Sequence, residues 1–162
     1  MKLNSEARLQ IQIARYLANN YPKVQFHSDF GSGAYLTKTQ AAIQSKQNAG
    51  RRGWPDLFIA KPTRKHLEKG ERSFFSKISR IEKLGDYRIA DAAGLFIELK
   101  ADGVRLKKKN GEWADDHIAE QAEVLEKLRQ AGYCAEFAVG FEEAVKIITK
   151  YLGEPEPEKV EF

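Results

Sequence analysis

The chain has one cysteine and three histidines among its 162 residues. A single cysteine cannot build an internal disulfide framework, which suits a reducing cytosol. With no cluster of Cys and His, a tetrahedral zinc site is disfavoured. No stretch approaches the roughly eighteen apolar residues that a membrane-spanning helix needs. The N-terminal segment has no apolar signal core; residues 5–18 alternate polar and apolar at helical spacing instead. No internal repeat is visible. Cys134 lies among strand-forming neighbours and carries no evident chemical task.

What is present reads as a globular domain with ample length for a core. Charged residues make up 31% and hydrophobic ones 42%. The net charge of +4 hides an asymmetry. Residues 1–113 carry 22 Lys or Arg against 11 Asp or Glu, a net of +11. Residues 114–162 carry 5 against 12, a net of −7. A basic body with an acidic C-terminal portion is the pattern of a polyanion binder, although segregated surface charge alone gives the same count. The composition as a whole fits a cytoplasmic nucleic-acid-binding protein with no membrane association.

Two short runs stand out, Gly53-Trp54-Pro55-Asp56-Leu57-Phe58-Ile59 and Gly94-Leu95-Phe96-Ile97-Glu98-Leu99-Lys100. Each is too short for a helix and rich in the β-branched and aromatic residues of buried strands. Each also carries charge where only apolar residues are expected. Asp56 opens the first run. Glu98 and Lys100, two apart, project from one face of the second. Buried charges cost several kcal/mol unless they pair or bind an ion. Two carboxylates and one ammonium at a sheet edge fit a divalent cation with a polarised water.

Pro55-Asp56 followed by Glu98-Leu99-Lys100 resembles the PD-(D/E)xK nuclease superfamily. The fuller pattern, Gly53 to Asp56, Glu98 to Lys100 and Gln121 on a later helix, resembles its VRR-NUC branch over roughly residues 5–152. The resemblance implies an α/β fold with an αβββαβ core, a mixed sheet flanked by helices. It implies metal-dependent DNA hydrolysis, with Mg²⁺, or Mn²⁺ as substitute, held by Asp56, Glu98 and the Leu99 backbone carbonyl. Lys100 is then the residue that positions or deprotonates the water, and Gln121 orients the lysine or the water. Glu6, in the first helix, matches a position that commonly joins the metal site in that family; read alone, it is a first-turn acid favoured by the helix dipole. The implied substrate is branched DNA such as a Holliday junction, in phage or bacterial recombination or repair.

The remaining segments fill in the frame. Leu9, Ile13, Tyr16 and Leu17 predict a helix over 5–20, capped by Asn4 or Ser5. Val24, Phe26 and Ser28 share one face of a short strand, and a polar helix is expected over 38–48. Arg51 and Arg52, flanked by glycines, offer bidentate phosphate contacts or a solvated turn. Lys107, Lys108 and Lys109 form a charged turn beyond the second acidic strand, which reads as a further phosphate contact or as a solvated loop. A helix over 115–131, a strand over 133–139 and a helix over 141–152 follow. Residues 153–162 read as a disordered acidic tail.

Between the two acidic strands lies an insertion, about residues 61–93. Over 61–91 it has nine Lys or Arg against five Asp or Glu. Phe74, Ile78, Ile81 and Leu84 recur at helical spacing, which predicts an amphipathic helix over 73–84. That helix suits either a DNA-facing arm or the interface of a homodimer. Two alternatives to a nuclease remain at this level: a catalytically silent nucleic-acid-binding module, and a protein-interaction module with a structural ion network.

Overall fold

The computed structural model describes residues 4–28, 37–47, 53–78, 80–85 and 87–155. Helix α1 (Ser5–Asn20) starts where the Asn4 side chain accepts a hydrogen bond from the Ala7 N–H, satisfying an otherwise orphaned donor. Strand β1 (Phe26–Ser28) and helix α2 (Lys38–Gln47) follow. Strand β2 (Leu57–Ile59) leads into the insertion, which carries β3 (Thr63–Leu67), β4 (Ile81–Leu84) and β5 (Tyr87–Ala92). Then come β6 (Leu95–Lys100), α3 (Asp116–Gln130), β7 (Cys134–Val139) and α4 (Gly140–Leu152).

The main sheet is mixed, in the order β1-β2-β6-β7. β2 runs antiparallel to both β1 and β6, and β6 runs parallel to β7. All six residues of β6 are buried, because helices cover both of its faces. Leu95, Ile97 and Leu99 point into a core shared with Leu9, Ile13 and Leu17 of α1 and Ala144 and Ile148 of α4. Each fully buried Leu or Ile there contributes roughly 1.5–3 kcal/mol. On the opposite face, Phe96 packs with Leu125 and Leu128 of α3, with Phe58, Tyr133 and Phe137 around them. Glu98 and Lys100 share the face of Phe96 and therefore lie toward α3. Gly94 sets the approach of β6 to β2: a Cβ there would lie 2.7 Å from the Phe58 ring and 2.9 Å from the Ile59 carbonyl oxygen.

The insertion departs from the sequence expectation. The described residues of 73–84 form no amphipathic helix. A single 3₁₀ turn at Phe74–Lys77 is followed by β4, and β3, β5 and β4 make a second, antiparallel sheet in that order. Leu84 pairs with Tyr87, so two residues turn the β4–β5 hairpin, and Gly85 takes φ 63° there. Three residues of the apolar stripe are turned inward. Ile78 is buried in the main core, with Phe74 and Ile81 half-buried against it. The most deeply buried aromatic of the segment is Phe75, stacked on Tyr151 of α4 at 5.7 Å. Phe74, Ile78 and Ile81 therefore do not form the exposed helical stripe expected of a dimer interface.

Candidate active site

Asp56, Glu98, Lys100 and Gln121 each expose 6% or less of their surface, although all four are polar or charged. Asp56 sits one residue before β2. Its Oδ2 accepts the Leu99 N–H at 2.8 Å and its Oδ1 accepts Gln10 Nε2, also at 2.8 Å. The carboxylate thus substitutes for a strand partner where β2 has not yet begun. The N–H and C=O of one strand residue point to the same side, so the Leu99 carbonyl is turned toward this gap as well.

Glu98 is the centre of the arrangement. Its Oε1 accepts from Lys100 Nζ at 3.0 Å and from Gln121 Nε2. Its Oε2 is buried without a hydrogen-bond partner, and so is Gln121 Oε1. Burial pushes the Glu98 carboxyl up to about 8; the neighbouring Asp56 charge and, less strongly, Glu6 add to the rise, and Lys100 opposes it. Two carboxyl groups, Asp56 and Glu98, thus share a buried space with one ammonium, Lys100. Buried polar atoms nearly always find a partner, which makes Glu98 Oε2 and Gln121 Oε1 the two atoms of the site that call for a ligand.

The donor set fits a hard divalent cation. Oxygen atoms from Asp56, Glu98 and the Leu99 carbonyl suit Mg²⁺ or Mn²⁺, and positive charge placed there would relieve the repulsion that raises Glu98. Among the described residues no group of three or more Asp, Glu, His or Cys converges as a metal cage. Mg²⁺ is commonly held by only one or two carboxylates, with waters and substrate phosphates completing the shell. Glu6 is half-buried in the first turn of α1, and its charge is felt at Glu98.

The residues read from sequence fall into two groups. Asp56, Glu98, Lys100 and Gln121 come together, with Glu6 at the margin. Lys107, Lys108 and Lys109 stay exposed in the loop between β6 and α3. There the Lys107 ammonium lies 4.5 Å over the Trp113 ring and Lys108 pairs with Glu112 at 3.8 Å. Arg51 and Arg52 lie outside the described residues, as do positions 156–162 of the acidic tail. Sequence reasoning missed Gln10. Its signal was a glutamine among Leu9, Ile13 and Leu17 on the buried face of α1, one turn after Glu6.

No protein-family model matches this sequence, and no curated protein matches it. A solved structure described as a "VRR_NUC domain protein" shares the fold, with a TM-score of 0.54 at 21% identity over 96% of this chain and 94% of that one.

Proposed function

We propose that this chain is a metal-dependent DNA endonuclease that hydrolyses phosphodiester bonds at the site formed by Asp56, Glu98, Lys100 and Gln121. The observation that carries the proposal is the burial of two carboxyl groups, Asp56 and Glu98, in one site, with Glu98 Oε2 left without a donor. A bound Mg²⁺ or Mn²⁺ would neutralise phosphate charge and acidify a coordinated water. The name carried by the similar structure, VRR_NUC domain protein, agrees with this chemistry.

The chain's own groups have separate tasks. Asp56, fixed by Gln10 and the Leu99 amide, supplies one carboxylate in a single orientation. Glu98 supplies the second, and Gln121 and Lys100 occupy its Oε1 while Oε2 is left without a protein donor. Lys100 places a positive charge within the same buried space, where it orients the attacking water or stabilises charge developing on the phosphate oxygens. Gln121 Oε1 is an acceptor placed to take a hydrogen bond from that water. Glu6 adds negative potential that strengthens the cation's hold.

Branched DNA, of the kind met in phage or bacterial recombination and repair in the cytoplasm, is the proposed substrate. Resolving a junction needs two related incisions, hence two copies of a domain with one site. With Phe74, Ile78 and Ile81 packed inward, that pairing would use another surface. Incubating the protein with junction, flap, single-stranded and duplex DNA, with Mg²⁺ or with chelator, tests the proposal. Metal-dependent cleavage that Lys100→Ala abolishes is expected. Failure of the wild type to cut any of these DNAs with Mg²⁺ present would leave a non-catalytic binding module as the better reading.

A further inference from the structure

We infer that Trp54 is a base-stacking platform at the edge of this site, and that the DNA it accepts presents an unpaired nucleobase there. The inference rests on the nuclease reading above and names the form of substrate the site takes. Trp54 exposes 57% of its surface, more than any other large hydrophobic residue among the described ones. It is nonetheless held. Its ring meets Phe96 edge to face at 5.3 Å and 82°. Phe96 in turn stacks on Phe58 at 4.4 Å and packs against Tyr133 at 5.2 Å.

The backbone on either side is fixed as well. Gly53 takes φ 74°, and a Cβ there would lie 3.4 Å from Val124 and 3.5 Å from the Gln121 Cα, so the segment rests on α3 beside a site residue. Pro55 locks its own φ and restricts Trp54 to extended conformations. Phe96 and Glu98 share one face of β6, and two strand residues span about 6.7 Å. Trp54 also lies two residues before Asp56, so the indole stands beside the site, where a nucleotide adjoining the scissile phosphate would lie.

Covering the Phe58, Phe96 and Tyr133 cluster does not account for this placement. The contact leaves 57% of the residue exposed, and a leucine would cover the cluster without leaving an aromatic surface in water. A preorganised aromatic face recognises any base by stacking but cannot enter an intact base-paired stack, which selects unpaired DNA.

The chain has two tryptophans, so Trp113→Phe leaves Trp54 as the sole indole. Titration of that variant without divalent metal, using a labelled oligothymidylate and a blunt duplex of equal length, reads the stack directly. Single strands should quench Trp54 fluorescence and the duplex should not. Trp54→Leu, which keeps the apolar cover, should bind the single strand roughly ten- to a hundredfold more weakly, and Trp54→Phe should retain most of the affinity. Unchanged fluorescence while the labelled strand binds, or unchanged affinity in Trp54→Leu, overturns the inference. Asp56→Ala separates it from the catalytic reading, since that variant should lose cleavage and keep the quenching. Quenching in a wild type that never cuts retires the nuclease alone, cutting without any response at Trp54 retires the platform alone, and failure to bind either DNA retires both.

Discussion

The two sheets of this molecule each hold an ion pair of short length, in opposite surroundings. In the insertion sheet Arg64 of β3 grips Asp91 of β5 with two hydrogen bonds of 2.7 and 2.9 Å, and the two side chains are 59% and 38% exposed. In the main sheet Lys100 meets Glu98 with one bond of 3.0 Å, and the side chains are 8% and 2% exposed. Geometry favours the first pair. Chemistry favours the second, because water screens the exposed pair and leaves it worth little. Burial, with the nearby Asp56 charge adding to it, pushes Glu98 of the buried pair up to about 8. In this fold, burial and surplus charge mark the functional pair, and bond length does not.

The widest separation between the sheets should appear on removing an acid from each. Asp56→Ala should reduce metal-dependent cleavage to background, with Lys100→Ala costing at least about 10²–10³-fold, in the range for loss of one preorganised charge donor. Folding is checked by circular dichroism. Asp91→Ala should cleave like wild type. Equal activity of Asp56→Ala and Asp91→Ala would erase the contrast.

The second effect concerns how the insertion sheet is held. Phe75→Ala removes a fully buried ring stacked on Tyr151 and should cost about 3–5 kcal/mol in denaturant unfolding. Phe141→Ala, on the surface of α4, should cost much less. Comparable costs would mean that the insertion docks less firmly than Phe75 and Ile78 indicate.

This same segment shows where the sequence misleads. Phe74, Ile78, Ile81 and Leu84 fit a helical period, but four apolar positions also fit a 3₁₀ turn followed by a strand. The decisive cue was local: Leu84-Gly85-Asp86-Tyr87 brackets a two-residue turn between strand-like runs, with glycine where positive φ is required. Thr63–Leu67 was hidden for another reason, since Arg64, Lys65 and His66 are exposed and make the strand read as loop. The site was more legible. A charge inside a run as apolar as Leu95–Leu99 leaves few physical explanations, so Glu98, with Asp56 and Lys100, stands out from the amino-acid pattern by itself. Gln10 does not, because a lone amide in a helix gains meaning only when its partner Asp56 is seen beside it.

That omission supplies a finer test of the main sheet. Gln10→Ala and Gln121→Ala each remove one hydrogen bond to a carboxylate of the site. Groups that orient metal ligands typically contribute about 10–100-fold in metal affinity or activity, and a loss of that order is expected in each variant. Raised Mg²⁺ should rescue part of the loss if positioning is the cause. An unchanged metal requirement would limit Gln10 to a structural role.

The smallest effect belongs to the exposed pair. Arg64 holds the Asp91 carboxyl below its usual 3.8. A lowered folded-state value means stability present above the unfolded value and lost as pH falls through the folded one. Arg64→Ala should therefore melt nearly like wild type at neutral pH, and the small difference should vanish as pH falls below about 3.8. A large neutral-pH loss would show that the insertion sheet depends on this pair more than its exposure allows.

Calorimetric titration with Mn²⁺ measures directly whether Asp56 and Glu98 hold a divalent cation. Wild-type protein should bind with saturable heat, Asp56→Ala and Glu98→Ala should each lose that binding, and Asp91→Ala should leave it intact. Binding that survives both substitutions, or is absent from the folded wild type, would contradict the account.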